Sequence, residues 1–442
     1  MNFGRHLKET TTLATPVVMS QLGHITVAVA DSAMVGLTGT VPLAASAFAG
    51  STFYGILLFG IGISYALTPL VAQAFVNKDH NRIGSLLKNA LALYTVTGFL
   101  LAGLLVFISL FYYQMGQEEA VASAAIPYLR LLALSLIPVM FYQVFRQFLE
   151  GLSKTRQVMV VSLTGNLVNV LLNYLLIFGK HGFPEMGLVG AGIATVIARA
   201  LSAVMLAFYV WRRPAFQAMI AAIHQAPVKW NIIRELLALG LPSGLQLVFE
   251  VTAFGVSSIM MGWISKTALA AHQIALNVSA VTYMVYTGIS AATAIRVGTF
   301  FGKADRLNER RAGISSFVLV TFSVVVCGLL LYGLRNVIPP LYSKDVAVTT
   351  MASSIFIISA FFQFGDGLQV VGLGALRGLT DVRIPTIVTL VAYWVIALSS
   401  AYFLAFYFDM GIYGIWAGLL IGLTLAGFLH VGRFLWITRE QP

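Results

Sequence analysis

Charged residues are scarce in this sequence. They make up 10% of its 442 residues, and 59% of the residues are hydrophobic, whereas soluble domains carry about 25% charged residues. The apolar residues form runs long enough to cross a bilayer, which takes about 20 residues in a helix. The composition therefore excludes an ordinary soluble domain and predicts an all-α, polytopic membrane protein with the lipid bilayer as its surroundings.

Cysteine is nearly absent, because Cys327 is the only one. A single cysteine excludes an intrachain disulfide and a CxxC metal site. The seven histidines are scattered without ligand spacing, and we find neither a catalytic dyad nor a phosphate-binding loop. We therefore expect no enzymatic activity and no cofactor.

Acidic residues are fewer than basic ones, which gives a net charge of +11. A nucleic-acid partner is not expected, because no basic groove or recognition motif accompanies this charge. The basic residues instead fall in loops: 19 Lys and Arg lie on one side of the predicted spans and 4 on the other. By the positive-inside rule, both termini and the connector between the halves face the cytoplasm.

Hydropathy predicts about twelve spanning helices. The first apolar segment runs to about Gly36, which is too long for a signal peptide, so we expect it to be retained as the first span. The predicted spans are 11–36, 43–76, 85–112, 120–149, 157–178, 187–210, 231–263, 267–301, 312–334, 346–376, 384–408 and 412–436.

The sequence repeats with an offset of 226 residues. LAASAFAG (43–50) aligns with LAAHQIAL (269–276), and GIGISYALTPLVAQAFVNKD (60–79) aligns with YTGISAATAIRVGTFFGKAD (286–305). Six helices per copy give both copies the same topology, related by a pseudo-twofold axis along the membrane normal. The predicted division is a six-helix bundle at 1–212, a cytoplasmic connector at 213–230 and a second bundle at 231–442.

Three acids lie deep in predicted spans: Asp31, Glu250 and Asp366. A charge at the bilayer centre costs about 2.5–3.5 kcal/mol on insertion scales, so such residues face a protein interior or a wet cavity. One interpretation is a hydrogen-bonded acid that only fixes helix packing. The alternative is a site that exchanges a proton or binds Na⁺ through oxygen ligands, with Glu250 and Asp366 as the Na⁺ ligands.

Amides accompany these acids. On the fifth span, Asn166, Asn169 and Asn173 share one helical face, where they either join helices by hydrogen bonds or position Asp31. The eighth span offers Gln273 and Asn277, one helical turn apart, and Tyr283. Tyr283 is either a partner of Glu250 or a packing residue.

One base, Arg199, lies deep in the sixth span. Pairing with a carboxylate and snorkelling towards the cytoplasm both stay open for it. Arg146, Arg296 and Arg377 lie nearer the cytoplasmic helix ends, and we expect them to act as snorkelling anchors.

Four stretches carry a family resemblance: ADSAMVG in the first span, NVLLNYLLIFGKHGFPEMGLVGAGIAT after the fifth, AAHQIALN in the eighth and FQFGDGLQVVGLGALRGLTD in the tenth. Together they resemble the multidrug and toxin extrusion (MATE) transporters of the NorM-like bacterial branch, over about residues 10–435. The resemblance implies two six-helix bundles that form a V-shaped central cleft. It also implies export of lipophilic organic cations such as drugs and dyes, driven by Na⁺ or H⁺ as the coupling ion.

The resemblance also implies residue roles. Glu250, Asp366 and Tyr283 would bind the coupling cation. Asp31, Asn169 and Asn173 would form a proton, cation and substrate site in the first half, and the substrate would contact Gln273, with Asn277 beside it.

Three functions are compatible with a polytopic helical protein. A cation-coupled multidrug antiporter accounts for the deep acids. A flippase for lipid-linked or other anionic amphiphilic substrates is the alternative, but it requires deep bases, and the acids outnumber them. A receptor or scaffold needs no repeated polar half-sites. We therefore expect a monomeric antiporter in the bacterial inner membrane.

Overall fold

The computed structural model describes residues 2–439, and all of its regular elements are helical. The helices are α1 (Phe3–Gly36), α2 (Thr40–Ser64), α3 (Leu67–Val76), α4 (His80–Ser109), α5 (Glu119–Gly151), α6 (Thr155–Phe178), α7 (Gly187–Arg212), α8 (Gln217–Gln225), α9 (Trp230–Ile264), α10 (Lys266–Gly302), α11 (Arg306–Leu334), α12 (Pro339–Tyr342), α13 (Val346–Gly378), α14 (Arg383–Leu390), α15 (Leu398–Tyr402) and α16 (Gly411–Ile437). Two π-helical segments, Val391–Ala397 and Phe403–Tyr407, flank α15. The all-α prediction is confirmed.

Twelve helical stretches within residues 2–439 are long and apolar enough to cross a membrane, which confirms the predicted number of spans. The second span, Thr40–Val76, is broken between α2 and α3 at Tyr65–Ala66, just before Pro69. Proline lacks a backbone N–H donor and is accommodated best in the first turn of a helix, and Pro69 lies in the first turn of α3. Several helices exceed their predicted spans; α1, for example, starts at Phe3 rather than residue 11.

The helix caps and backbone conformation confirm the repeat. The Asp79 side chain caps α4 by accepting from the Arg82 N–H, and Asp305, 226 positions later, caps α11 by accepting from the Asn308 N–H. Lys78 and Ala304, the residues just before these caps, both have positive φ, 55° and 54°. Non-glycine residues seldom adopt this conformation, so its recurrence at one offset shows that both copies fold alike. The hydrogen bonds from Asn308 lower the pKa of the Asp305 carboxyl.

Backbone contacts group the chain into two compact units. The N-terminal unit is Leu22–Gly244, and the C-terminal unit is Met1–Gln21 with Leu245–Pro442. Each unit has its own apolar cores. The chain passes from one unit to the other inside α1 and inside α9, so the N-terminal part of each of these two helices belongs to the other copy's unit. The duplication boundaries at 1–212, 213–230 and 231–442 stay a prediction.

The first part of α1 and the first part of α9, which each belong to the other copy's unit, pack against glycine at corresponding positions of the repeat. In the N-terminal unit, a Cβ added to Gly62 on α2 would lie 2.5 Å from the Cα of Gly244 on α9. In the C-terminal unit, a Cβ added to Gly288 on α10 would lie 2.9 Å from the backbone nitrogen of Val18 on α1. The offset of 226 relates Gly62 to Gly288 and Val18 to Gly244. Small residues thus allow close backbone approach at both places.

We predict that Gly62→Leu and Gly288→Leu destabilise the protein by about 1–3 kcal/mol or more, because the added side chain meets backbone that cannot move aside. Gly55→Leu on the same helix as Gly62 is the matched control, since nothing lies within 4 Å of a Cβ there. Thermal unfolding of the purified protein in detergent measures the effect. Equal melting temperatures for Gly62→Leu and Gly55→Leu would contradict the packing described above.

Two of the three arginines predicted to snorkel, Arg146 and Arg296, are buried instead, and Arg377 is half-buried. Arg146 is 8% exposed, and its Nε donates to Glu150 Oε1 at 2.8 Å. Arg296 is 4% exposed, and its Nη1 donates to Thr10 Oγ1 at 2.7 Å on α1, within the C-terminal unit. The snorkelling interpretation was therefore wrong for both, because each guanidinium is satisfied by protein partners rather than by water.

Candidate functional site

The acids of α9 and α13 lie together in the C-terminal unit. Glu250 is 5% exposed and Asp366 is 3% exposed, and the two carboxyl groups are close enough to interact electrostatically. Asp366 lies within the sequence Gly365–Asp366–Gly367. A Cβ at Gly365 would meet the Thr424 nitrogen at 2.6 Å, so glycine permits α13 to pack tightly against α16 beside the acid. The structure therefore pairs the two acids that the sequence analysis assigned to one site.

Glu250 has polar neighbours from three other elements. The side chains of Gln369 on α13 and Tyr283 on α10 lie close to it. Gln369 is completely buried, and its Oε1 accepts a hydrogen bond of 3.0 Å from the Tyr393 hydroxyl. Tyr393 belongs to the π-helical segment Val391–Ala397, and π segments are often found at functional sites. The tyrosine thus fixes the amide oxygen and leaves the Gln369 NH₂ group for Glu250.

A second buried amide lies one turn before Asp366. Gln363 Oε1 accepts from Thr282 Oγ1 at 2.7 Å and from the Tyr286 hydroxyl at 2.9 Å. Gln363, Asp366 and Gln369 are spaced three residues apart and form a polar stripe along α13. Asp366 alone was predicted as a site residue, and the buried glutamines on either side of it, which the sequence also shows, were not.

The arrangement suits a proton or a hard monovalent cation. It offers two carboxyl groups together with amide and phenol oxygens, and hard cations prefer oxygen ligands. Among residues 2–439, no group of three or more His, Cys, Asp or Glu residues could hold a metal ion.

The acid of α1 forms a separate site in the N-terminal unit. Asn173 on α6 donates through Nδ2 to Asp31 Oδ1 at 2.5 Å and to Asn169 Oδ1 at 3.3 Å. Asn173 is completely buried and Asn169 is 6% exposed. The structure thus brings together the three residues predicted for this half.

Closer to the middle of α1, His24 extends the same face. Its Nε2 lies 3.1 Å from the Ser162 hydroxyl on α6. A Cβ at the neighbouring Gly23 would lie 2.9 Å from Asn166 Nδ2, so glycine allows α1 to approach the polar face of α6. The amide-rich face of α6 therefore contacts α1 at two levels, at His24 and at Asp31.

The residues predicted to line the substrate path are exposed. Gln273 donates to Ser258 Oγ at 3.3 Å, and Asn277 follows it by one turn on α10. Neither has a hydrogen bond to the acids among the described residues. Their role in substrate contact stays a prediction.

Comparisons with a family model and with known proteins point to the same family over most of the chain. A family model described as MatE matches residues 16–175 and 242–403. A probable multidrug resistance protein NorM of Agrobacterium fabrum is 32% identical over 446 residues, which cover 99% of this chain and 95% of that protein. The multidrug resistance protein MdtK of Photorhabdus laumondii is 34% identical, with 99% and 97% covered.

Solved structures show the same fold. The eukaryotic MATE transporter AtDTX14 superposes with a TM-score of 0.89 at 22% identity, covering 99% of this chain and 97% of that one. The outward-facing conformation of a multidrug resistance MATE family transporter of the MOP superfamily superposes with a TM-score of 0.89 at 17% identity, covering 98% and 96%.

Proposed function

Because this chain belongs to the MatE family of multidrug and toxin extrusion transporters, we propose that it is a cation-coupled multidrug antiporter. It exports lipophilic organic cations, and Na⁺ or H⁺ moving inward drives the export. The names of the relatives, multidrug resistance proteins NorM and MdtK, support multidrug transport. The function is transport without covalent change of the substrate, rather than catalysis.

The observation that carries the coupling proposal is that Glu250 and Asp366 are both buried in the C-terminal unit, within electrostatic reach of each other. Desolvation and a like charge both disfavour a second ionised carboxylate. Such a pair gains stability when it takes up a proton or a Na⁺ ion. A bound coupling cation then lowers the affinity for a cationic drug, and linkage makes that effect reciprocal.

Asp31 gives the N-terminal unit its own acceptor for a cation or a proton. Asn173 and Asn169 fix the position of its carboxylate, and only Oδ1 takes part in their hydrogen bonds. The two polar sites are therefore proposed to act as separate steps of one cycle, with Glu250, Asp366 and Tyr283 binding the coupling cation.

An anionic substrate of the flippase type is less well supported. Arg146 is neutralised by Glu150 within α5, and Arg296 is held by residues of α1, including Glu9 at 3.2 Å. Glu250 and Asp366 have no ion pair of 4.0 Å or less within residues 2–439. The buried acids of the C-terminal unit thus have no basic partner within 4.0 Å, which favours a cationic substrate over an anionic one.

The test is uptake of tetraphenylphosphonium into proteoliposomes under an imposed Na⁺ gradient or an imposed pH gradient, applied one at a time. Antiport predicts accumulation driven by at least one gradient and abolished when ionophores dissipate it. A response to neither gradient would refute antiport. We further propose that the protein acts as a monomer in the bacterial inner membrane, with both termini in the cytoplasm.

A further inference from the structure

A buried histidine at the start of α1 has no part in the mechanism proposed above. His6 is completely buried in the C-terminal unit. Its Nδ1 lies 2.9 Å from Arg296 Nη2 on α10, and its Nε2 lies 3.0 Å from Asn308 Oδ1 on α11. Its ring also packs against the Phe300 ring, with 5.5 Å between the two centroids. The imidazole therefore joins α1 to two other helices of the same unit.

The partners of this imidazole determine its protonation state. Arginine has donors and no acceptor, so Nδ1 accepts the hydrogen bond from Arg296 and carries no proton. Asn308 Nδ2 donates to Asp305 Oδ2 at 2.7 Å, which turns Asn308 Oδ1 towards His6 as the acceptor for its Nε2–H. The network is therefore complete only when His6 is neutral.

Arg296 fastens the first part of α1 to α10. Its Nη1 donates to the His6 carbonyl at 2.5 Å and to Thr10 Oγ1 at 2.7 Å. Its Nη2 donates to His6 Nδ1 at 2.9 Å and to Glu9 Oε2 at 3.2 Å. These four bonds all end on residues 6–10, within the first turns of α1, so the attachment of this segment depends on the orientation of one guanidinium.

The repeat supplies a similar attachment without a histidine. Glu235 on α9, 226 positions after Glu9, forms an ion pair with Arg82 in the N-terminal unit. The position that corresponds to His6 is Ile232. Histidine is the side chain that ordinarily titrates between about pH 5 and 8. Of the two attachments, the one at His6 is therefore the one that a change of pH in this range can break.

Protonation of His6 would oppose the network in two ways. Nδ1 would become a donor that faces an Arg296 donor, and a second positive charge would lie beside the guanidinium. The charged groups that act on the imidazole are Arg296, Glu9 and the amino terminus of the chain, and Asp305 lies beyond Asn308. The Glu9 side chain is 41% exposed, so water weakens the compensation that its carboxylate offers.

We propose that the first turns of α1 form a proton-operated latch, which neutral His6 holds on α10 and α11 and which protonation of His6 releases. The proposed topology places this end of α1 in the cytoplasm, so the latch responds to acidification of the cytoplasm. Because α1 continues to Asp31, the latch acts on the helix that carries the acid of the N-terminal unit.

Hydrogen–deuterium exchange of the purified full-length protein, followed by mass spectrometry, tests the latch without a transport assay. Exchange is compared at about pH 7.5 and about pH 5.5, on either side of the unperturbed histidine pKa of about 6.5, after correction for the intrinsic effect of pH on amide exchange. Linkage then predicts that the protection of residues 3–14 falls about tenfold at the lower pH. The protection of residues 230–244, around the Arg82–Glu235 pair, should change by less than about twofold.

Two variants at position 6 separate the latch from a general effect of acid. Asparagine places an amide oxygen near the position of Nδ1 and cannot be protonated, so His6→Asn should show the same protection of residues 3–14 at both pH values. Lysine places a permanent charge beside Arg296, so His6→Lys should show weak protection of this segment at both pH values.

The proposal is overturned if residues 3–14 of the wild type keep their protection at the lower pH, or if the wild type and His6→Asn lose it equally. An equal loss in residues 3–14 and 230–244 would also overturn it, because acid would then act on the whole protein. Each of these results would leave the proposed export function standing, since exchange is measured without a substrate or an ion gradient.

Discussion

Replacing Asp366 by asparagine is expected to lower gradient-driven drug efflux by about tenfold or more. The binding of one ligand usually changes the affinity for a second one by about 5- to 150-fold, and a loss of this coupling has an effect of that size. Asparagine keeps the size of the side chain and removes the ionisable group, so Asp366 and Glu250 no longer form a pair that exchanges cations. Glu250→Gln is expected to have the same effect. Efflux of ethidium from preloaded cells, at matched protein levels, measures it.

Asp409→Asn is the matched control for this prediction. Asp409 is exposed in the loop before α16 and has φ of 54°, a conformation that asparagine also tolerates. We expect wild-type efflux from it. Full efflux from both Asp366→Asn and Glu250→Gln would remove these acids from the coupling mechanism. A defect in Asp409→Asn of the same size would show that the assay reports loss of any acid.

The second large effect concerns stability. Glu150→Gln should destabilise the protein by about 3–5 kcal/mol, because it leaves Arg146 charged and buried without its partner. Both residues of this pair are nearly inaccessible, with side chains 9% and 4% exposed. Unfolding of the purified protein by sodium dodecyl sulfate in mixed micelles gives the free-energy difference.

A half-exposed ion pair in the same unit supplies the comparison. Arg82 and Glu235 have side chains 35% and 36% exposed, so Glu235→Gln should cost about 0–1 kcal/mol. The double variant Arg146→Met/Glu150→Met should recover most of the stability lost in Glu150→Gln, since it removes both buried charges. Equal losses for Glu150→Gln and Glu235→Gln would show that the buried pair has no special cost.

Much of this fold follows from the cost of unsatisfied backbone groups in hydrocarbon, which only helices and closed barrels avoid. That cost makes spans visible in the sequence, and it makes Asp31, Glu250 and Asp366 conspicuous within them. The 226-residue offset then predicted which helices correspond, and the recurring cap at Asp79 and Asp305 agrees with it.

The partners of the buried bases could not be predicted in the same way. Snorkelling and ion pairing both satisfy a charge near a helix end, and the choice depends on tertiary contacts. Arg296 is held by Thr10 and His6, which precede it by more than 280 residues. No local pattern distinguishes such an arginine from one that reaches water.

The π-helical segments around α15 depend on packing as well. Gly414, Gly418 and Gly422 form one face of α16, and an added Cβ at Gly422 would lie 2.7 Å from the Ala392 carbonyl oxygen. This close contact accompanies the altered backbone that contains Tyr393. The hydropathy of this segment shows only an apolar run, so the tyrosine that orients Gln369 was not predicted.

The measurement that tests the antiport proposal most directly is the affinity of the purified protein for tetraphenylphosphonium as Na⁺ concentration and pH are varied independently. The account predicts that Na⁺, protons or both weaken binding about 5- to 150-fold in the wild type and that Asp366→Asn largely removes this dependence. An affinity that is independent of both ions in the wild type would contradict the central claim.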